Sequence, residues 1–134
     1  MTYANTTLAL DQYIPLLSLT SKPSETKVIL ADFIEGKVLS LDADKFQLPS
    51  LNLNNNTLKS IARSVYQEYG IFTNPSHYQD VGQRGDTHYF VGFVNSNSTP
   101  QKGEWLNISD INNGTIPSSQ KVKSLLEELV HKIN

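Results

Sequence analysis

The sequence predicts an α/β domain, a sheet with one helix packed on each side. Two amphipathic helical stretches and several short β-branched runs predict it, in the order strands, helix, strands, helix. In Leu58–Ile71, the residues Leu58, Ile61, Ala62, Val65 and Tyr69 recur at the three- and four-residue spacing of one buried helical stripe. In the C-terminal stretch, Val122, Leu125, Leu126, Leu129, Val130 and Ile133 do the same. The strand runs, led by TKVILADF and HYFVGFV, show no helical period.

The elements follow in chain order. Leu8, Leu10, Tyr13, Ile14, Leu16 and Leu17 suit a short strand or helix, either interrupted by Pro15. Thr20–Glu25, with Pro23, reads as a loop. Thr26–Phe33 is apolar and β-branched, so it is expected as a buried strand. Glu35-Gly36 turns it into a second strand, Lys37–Asp42, making a hairpin. A turn at Asp42 to Asp44 precedes the extended segment FQLPSL, where Pro49 disfavours helix at Leu48. Thr57, or an Asn before it, caps the first helix, and Gly70 stands where a left-handed residue ends it. His77–Gly82 and His88–Val94 read as strands joined by Gln83 to Thr87. Asn95–Gly103 is small and polar, an exposed loop. Gly103–Ile108 is another strand, Asn112-Asn113-Gly114 a turn, and Ser118 or Ser119 the cap of the last helix.

Composition bounds the function. The chain has 134 residues, enough for one core but not for two. A net charge of -2 leaves no basic stripe for nucleic acid, so no nucleic-acid partner is expected. Cysteine is absent, which removes disulfides, thiolate catalysis and cysteine-bound zinc. No run reaches the roughly 18–20 apolar residues of a membrane helix, and the N-terminus lacks a signal-peptide pattern. A cytoplasmic protein without a membrane partner is expected. The N-x-S/T triplets at Asn5, Asn55, Asn97, Asn107 and Asn113 then reflect an Asn-rich composition, not glycan sites.

The polar face of the first helix carries Ser60, Arg63, Ser64, Gln67 and Glu68. Positions 64, 67 and 68 are three and four residues apart, which brings them to one surface spot. Three carboxylates there would grip a hard divalent cation; a hydroxyl, an amide and one carboxylate would grip it far less.

LPSLNLNNNTLKSIARSVYQEYGI, after a hairpin and ahead of GEWLNISDI, resembles the Nudix superfamily box. Arg63 falls on the motif arginine, Val65 on the aliphatic, Glu68 on the last glutamate, and Gly70-Ile71 on the closing pair. Leu48-Pro49 resembles the family's lead-in, and Trp105-Leu106 its later Trp-aliphatic pair. Ser64 and Gln67 replace two glutamates, Ser50 and Leu51 replace lead-in glycines, and no carboxylate lies between Asp44 and Glu68. The resemblance implies one Nudix-like domain over 1–134, an α/β/α sandwich with a mixed sheet. It implies Mg²⁺ or Mn²⁺ at Glu68, with the Gln67 carbonyl beside it, and a catalytic set of Glu68, Arg63 and a recruited Glu104. Asp80 and Asp86 are the other carboxylates available to rebuild the site. Arg84 and Lys102 are expected beside the cleft as phosphate contacts.

Each of these residues also has an ordinary role. Arg63, Arg84, Lys102 and Glu104 suit solvated surface charges, and Trp105, Tyr78 and Tyr89 suit core packing. His77 and His88 have no metal-ligand spacing, and His131 suits the end of its helix. Three functions compete: a binding protein for a nucleotide or phosphorylated small molecule with weak or lost hydrolysis; an active metal-dependent pyrophosphohydrolase using Glu68 and a recruited carboxylate; and a structural or homodimerising domain.

Overall fold

The computed structural model describes residues 25–53 and 57–133. The expected element around Leu8 to Leu17, and the triplets at Asn5 and Asn55, lie outside them. Strand β1 (Glu25–Asp32) runs through the centre of a six-stranded sheet. Val28, Ile29, Leu30 and Ala31 are all buried, because both faces of β1 are covered. Its apolar run without alternation has this cause.

The spatial order is β4 (Tyr78–Arg84), β5 (Thr87–Phe93), β1, β2 (Lys37–Ser40) and β6 (Glu104–Asn107), with β3 (Ser50–Leu51) also on β1. β1 pairs parallel to β5, and the other pairs are antiparallel, so the sheet is mixed. Alternation along β1 splits the core in two. Val28 and Leu30 join Leu39, Phe90 and Tyr78 beneath helix α1 (Leu58–Tyr69). Ile29 and Ala31 join Val38, Tyr89, Val91 and Leu106 beneath α3 (Gln120–Ile133).

The helix ends follow their local chemistry. The Thr57 hydroxyl accepts from the Ser60 amide at 3.1 Å, satisfying one orphan donor at the start of α1. Gly70 closes α1 at φ 72°, and a Cβ there would lie 2.7 Å from Cγ of Gln101. The Ser119 hydroxyl accepts from the Val122 amide at the start of α3. Gly92 on β5 is needed for a different reason: a Cβ there would lie 2.5 Å from the Tyr78 ring. That buried ring donates or accepts at Thr73 Oγ1 over 2.6 Å, and burial pushes its hydroxyl pKa up to about 12.

Several boundaries differ from expectation. Ile108–Asn112 is a short helix, α2, where the sequence suggested the strand's end and a turn. Its Ile108 and Ile111 both enter the α3-side core, and three-residue spacing serves that better than alternation. His77 belongs to a 3₁₀ turn, Pro75–His77, with proline at its start. β4 then runs on to Arg84, two residues into the expected connection, with a bulge between Asp80 and Gly82.

Candidate functional site

The α1 face holds the residues the sequence singled out, and the α3 side holds a cavity. On α1, Ser64 is only 9% exposed, Gln67 is exposed and Glu68 is half-buried. The three therefore do not share one open surface as their spacing suggested. A hydroxyl is small enough to be covered at the flank of the stripe, where a glutamate would hold the surface open. Arg63 is exposed on the outer side.

Tyr69 is buried, and its hydroxyl donates to the Ser50 carbonyl at 2.7 Å. Burial and then the nearby Glu68 carboxylate push this hydroxyl above its ordinary pKa. The Lys102 ammonium stands 5.6 Å from the centre of the same ring. Glu68 and Lys102 thus flank one aromatic side chain.

The other expected residues lie elsewhere. Along β6, Trp105 packs with the α1-side core and Leu106 with the α3-side core. Glu104 shares a face with Leu106, so it sits on the side of the sheet away from Glu68. Arg84 reaches Glu128 of α3 at 2.8 Å, also on that side. Asp80 accepts from His88 at 2.8 Å and from the Gly82 amide at 2.7 Å, which braces the bulge. Asp86 forms the β4–β5 turn and its carbonyl accepts from Glu25. Tyr78 and Tyr89 are core residues; the half-buried Trp105 donates its indole N–H to the Ser98 carbonyl at 2.9 Å.

A hard divalent cation needs several anionic oxygens. Among the described residues, no group of three or more His, Cys, Asp or Glu is placed to hold a metal ion. Around Glu68 the donor set is one carboxylate, one neutral amide and a covered hydroxyl, with the Lys102 ammonium against the neighbouring Tyr69 ring. These residues do not fit Mg²⁺ or Mn²⁺.

The cavity on the α3 side was not foreseen from sequence. It measures about 440 Å³ and is lined by Lys27, Lys45, Phe46, Gln47, Leu48 and the Pro117–Ser119 entry to α3. That volume lies within the usual range for small-molecule sites. One buried serine builds its wall. Ser40 Oγ shares its one proton between the Asp42 carbonyl at 2.7 Å and the Lys45 carbonyl at 3.0 Å and accepts from the Gln47 amide, folding residues 41–47 back on the strand. The Phe46 amide then donates to the Pro117 carbonyl at 2.8 Å, tying the segment to the start of α3. Lys27, on the α3-side face of β1, is 3.9 Å from Glu25. The lining offers two lysines, one of them beside Glu25, together with Phe46 and Leu48, a mix that suits an anionic ligand with an apolar part.

No protein-family model matches the chain, and no curated protein matches it in sequence. Solved structures do match in fold. A MutT structure described for Aliivibrio salmonicida and Vibrio cholerae is 12% identical, with a TM-score of 0.54 over 81% of this chain and 96% of its own. The mutator MutT protein of Bacillus halodurans is 17% identical, with a TM-score of 0.50 over 80% of this chain and 81% of its own. Likeness at these identities shows the fold, the Nudix-type α/β/α arrangement with a mixed central sheet.

Proposed function

We propose that this chain is a Nudix-fold binding protein for a nucleotide or other phosphorylated small molecule, with hydrolysis weak or lost. The observation that carries the reading is the 440 Å³ cavity with Lys27, Lys45 and Phe46 on its walls. Two ammonium groups attract phosphate oxygens, and an aromatic and apolar wall receives the rest of the ligand. What argues against ordinary hydrolysis is the set of groups around Glu68. An in-line attack on phosphorus draws on a cation that offsets charge on the phosphoryl oxygens, and that cation needs carboxylates which Ser64 and Gln67 do not supply. Glu104, the carboxylate best placed in sequence to be recruited, shares the opposite face of the sheet.

The test is a thermal-shift panel of nucleoside diphosphate derivatives, run in EDTA and again in Mg²⁺. A ligand at about a hundredfold its Kd raises native-state stability by about 2.7 kcal/mol. The expected outcome is a shift that persists in EDTA and shrinks markedly in Lys45→Glu. Turnover that needs Mg²⁺ and vanishes in Glu68→Gln would establish the hydrolase reading instead. Silence in every condition, with a concentration-dependent dimer, would leave the structural one.

A further inference from the structure

We infer that the Lys102 ammonium stands in for a divalent cation on the α1 face, so that positive charge there is part of the chain and the face takes no metal. The inference rests on the Nudix-type reading of that face only for what the face would otherwise hold.

Lys102 is carried by a loop that is fastened at three places. At its start, the Val94 amide donates to Ala31, and both the amide and hydroxyl of Ser96 donate to the Asp32 carboxylate at 2.9 Å. Midway, the Ser98 carbonyl accepts the Trp105 indole N–H. Next to the lysine itself, the Gln101 amide donates to the Tyr69 carbonyl at 2.8 Å, and the Gln101 side chain lies against Gly70. The loop is therefore pinned to the C-terminal end of α1, and Lys102 is delivered onto the Tyr69 ring by that anchoring. No acidic side chain forms an ion pair with it among the described residues.

Each group a cation would want is engaged or neutral. The Ser50 main-chain oxygen, a hard donor beside the helix, accepts from Tyr69. Gln67 brings no charge and Ser64 is covered. Glu68 is the one carboxylate, close enough to Tyr69 to act on its hydroxyl, and the Lys102 ammonium stands 5.6 Å from the centre of that same ring. A nearby ammonium repels a dication, and at short range in water-like surroundings one unit charge alters dication affinity by up to about tenfold. Loss of two carboxylates and gain of one ammonium act in the same direction.

The test uses Mn²⁺ alone, followed by the electron paramagnetic resonance signal of the free hydrated ion. Its outcome does not depend on whether any nucleotide binds. In the native protein the free signal should track total Mn²⁺ up to about 1 mM. The double variant Gln67→Glu/Lys102→Gln changes two exposed side chains, and an unchanged melting temperature verifies its fold. It should bind Mn²⁺ at least about tenfold more tightly than the native protein, and adding Glu68→Gln should reverse the gain. Binding that survives Glu68→Gln in the native background lies elsewhere and leaves the α1 face metal-free, as inferred. Two results overturn the inference: native Mn²⁺ binding that Glu68→Gln abolishes, or a double variant that gains nothing.

Discussion

On the α1 side of the sheet, Ile61, Val65 and Tyr69 cover Val28, Leu30 and Phe90. On the α3 side, Leu125, Leu126 and Leu129 cover Ile29, Val91 and Tyr89. The covers are alike in kind, a single apolar stripe on an amphipathic helix. Their outer chemistry is not alike. The α1 side carries one half-buried carboxylate, Glu68, and the Lys102 ammonium against Tyr69. The α3 side has a walled cavity with two lysines and an aromatic ring. The difference teaches that packing fixes only the buried stripe of such a helix and leaves the chemistry of its exposed face open.

The first way to break this comparison is through the covers themselves. Ile61→Ala and Leu126→Ala each delete a side chain with no exposure, and each should cost about 3 kcal/mol in denaturant unfolding. A much smaller loss at Ile61 would mean that α1 is not the structural equal of α3. The chemistry comes next. Lys45→Glu should weaken nucleotide binding about 10- to 100-fold, or 1.4 to 2.8 kcal/mol, by calorimetry. Lys59→Glu, an equal charge change on exposed α1, should leave affinity within about twofold.

A finer comparison sets the loop ends against each other. Burial disfavours the Asp32 carboxylate, but hydrogen bonds from Ser96, Glu35 and Ile34 outweigh that and hold its pKa below the ordinary 3.8. A lowered pKa means that the folded state favours the ionised form. The stabilisation is therefore full above 3.8 and is lost as pH falls below it through the folded value. Asp32→Asn should cost about 1–2 kcal/mol at neutral pH and flatten the acid limb of a melting-temperature profile. The smallest effect belongs to the Arg84–Glu128 pair, whose side chains are 37% and 53% exposed. Arg84→Ala should change stability by less than about 0.5 kcal/mol, and less still in high salt.

Much of this fold was legible because periodicity reports burial. The stripes of α1 and α3, the unbroken apolar run of β1 and the Gly70 stop all follow from local rules. The site was less legible. Helical spacing set Ser64, Gln67 and Glu68 on one face but did not show the covering of Ser64, which depends on packing at the helix flank. Lys27 and Lys45 share a wall only because Ser40 folds residues 41–47 inward, and one serine in a strand carries no pattern that says so. Glu104 and Arg84 were expected near the α1 face; strand alternation at β6 sends the first, and the ion pair with Glu128 holds the second, to the other side.

The parallel pairing of β1 with β5 also bears on how the chain reaches this structure. Glu25 and Thr87, partners at the start of that ladder, are 62 residues apart in sequence. Closing a loop of that length costs about 4 kcal/mol of chain entropy before its contacts return anything. During synthesis, β1 emerges long before the strand that will shield its edge. Until β5 arrives, VILA at its centre is an apolar segment with its β5-facing edge unpaired, the kind that seeks other chains. The hairpin with β2 covers one edge of β1 early, through Ala31–Val38 and Asp32–Lys37. The other edge waits, which makes the interval between the two strands the period of greatest exposure to aggregation.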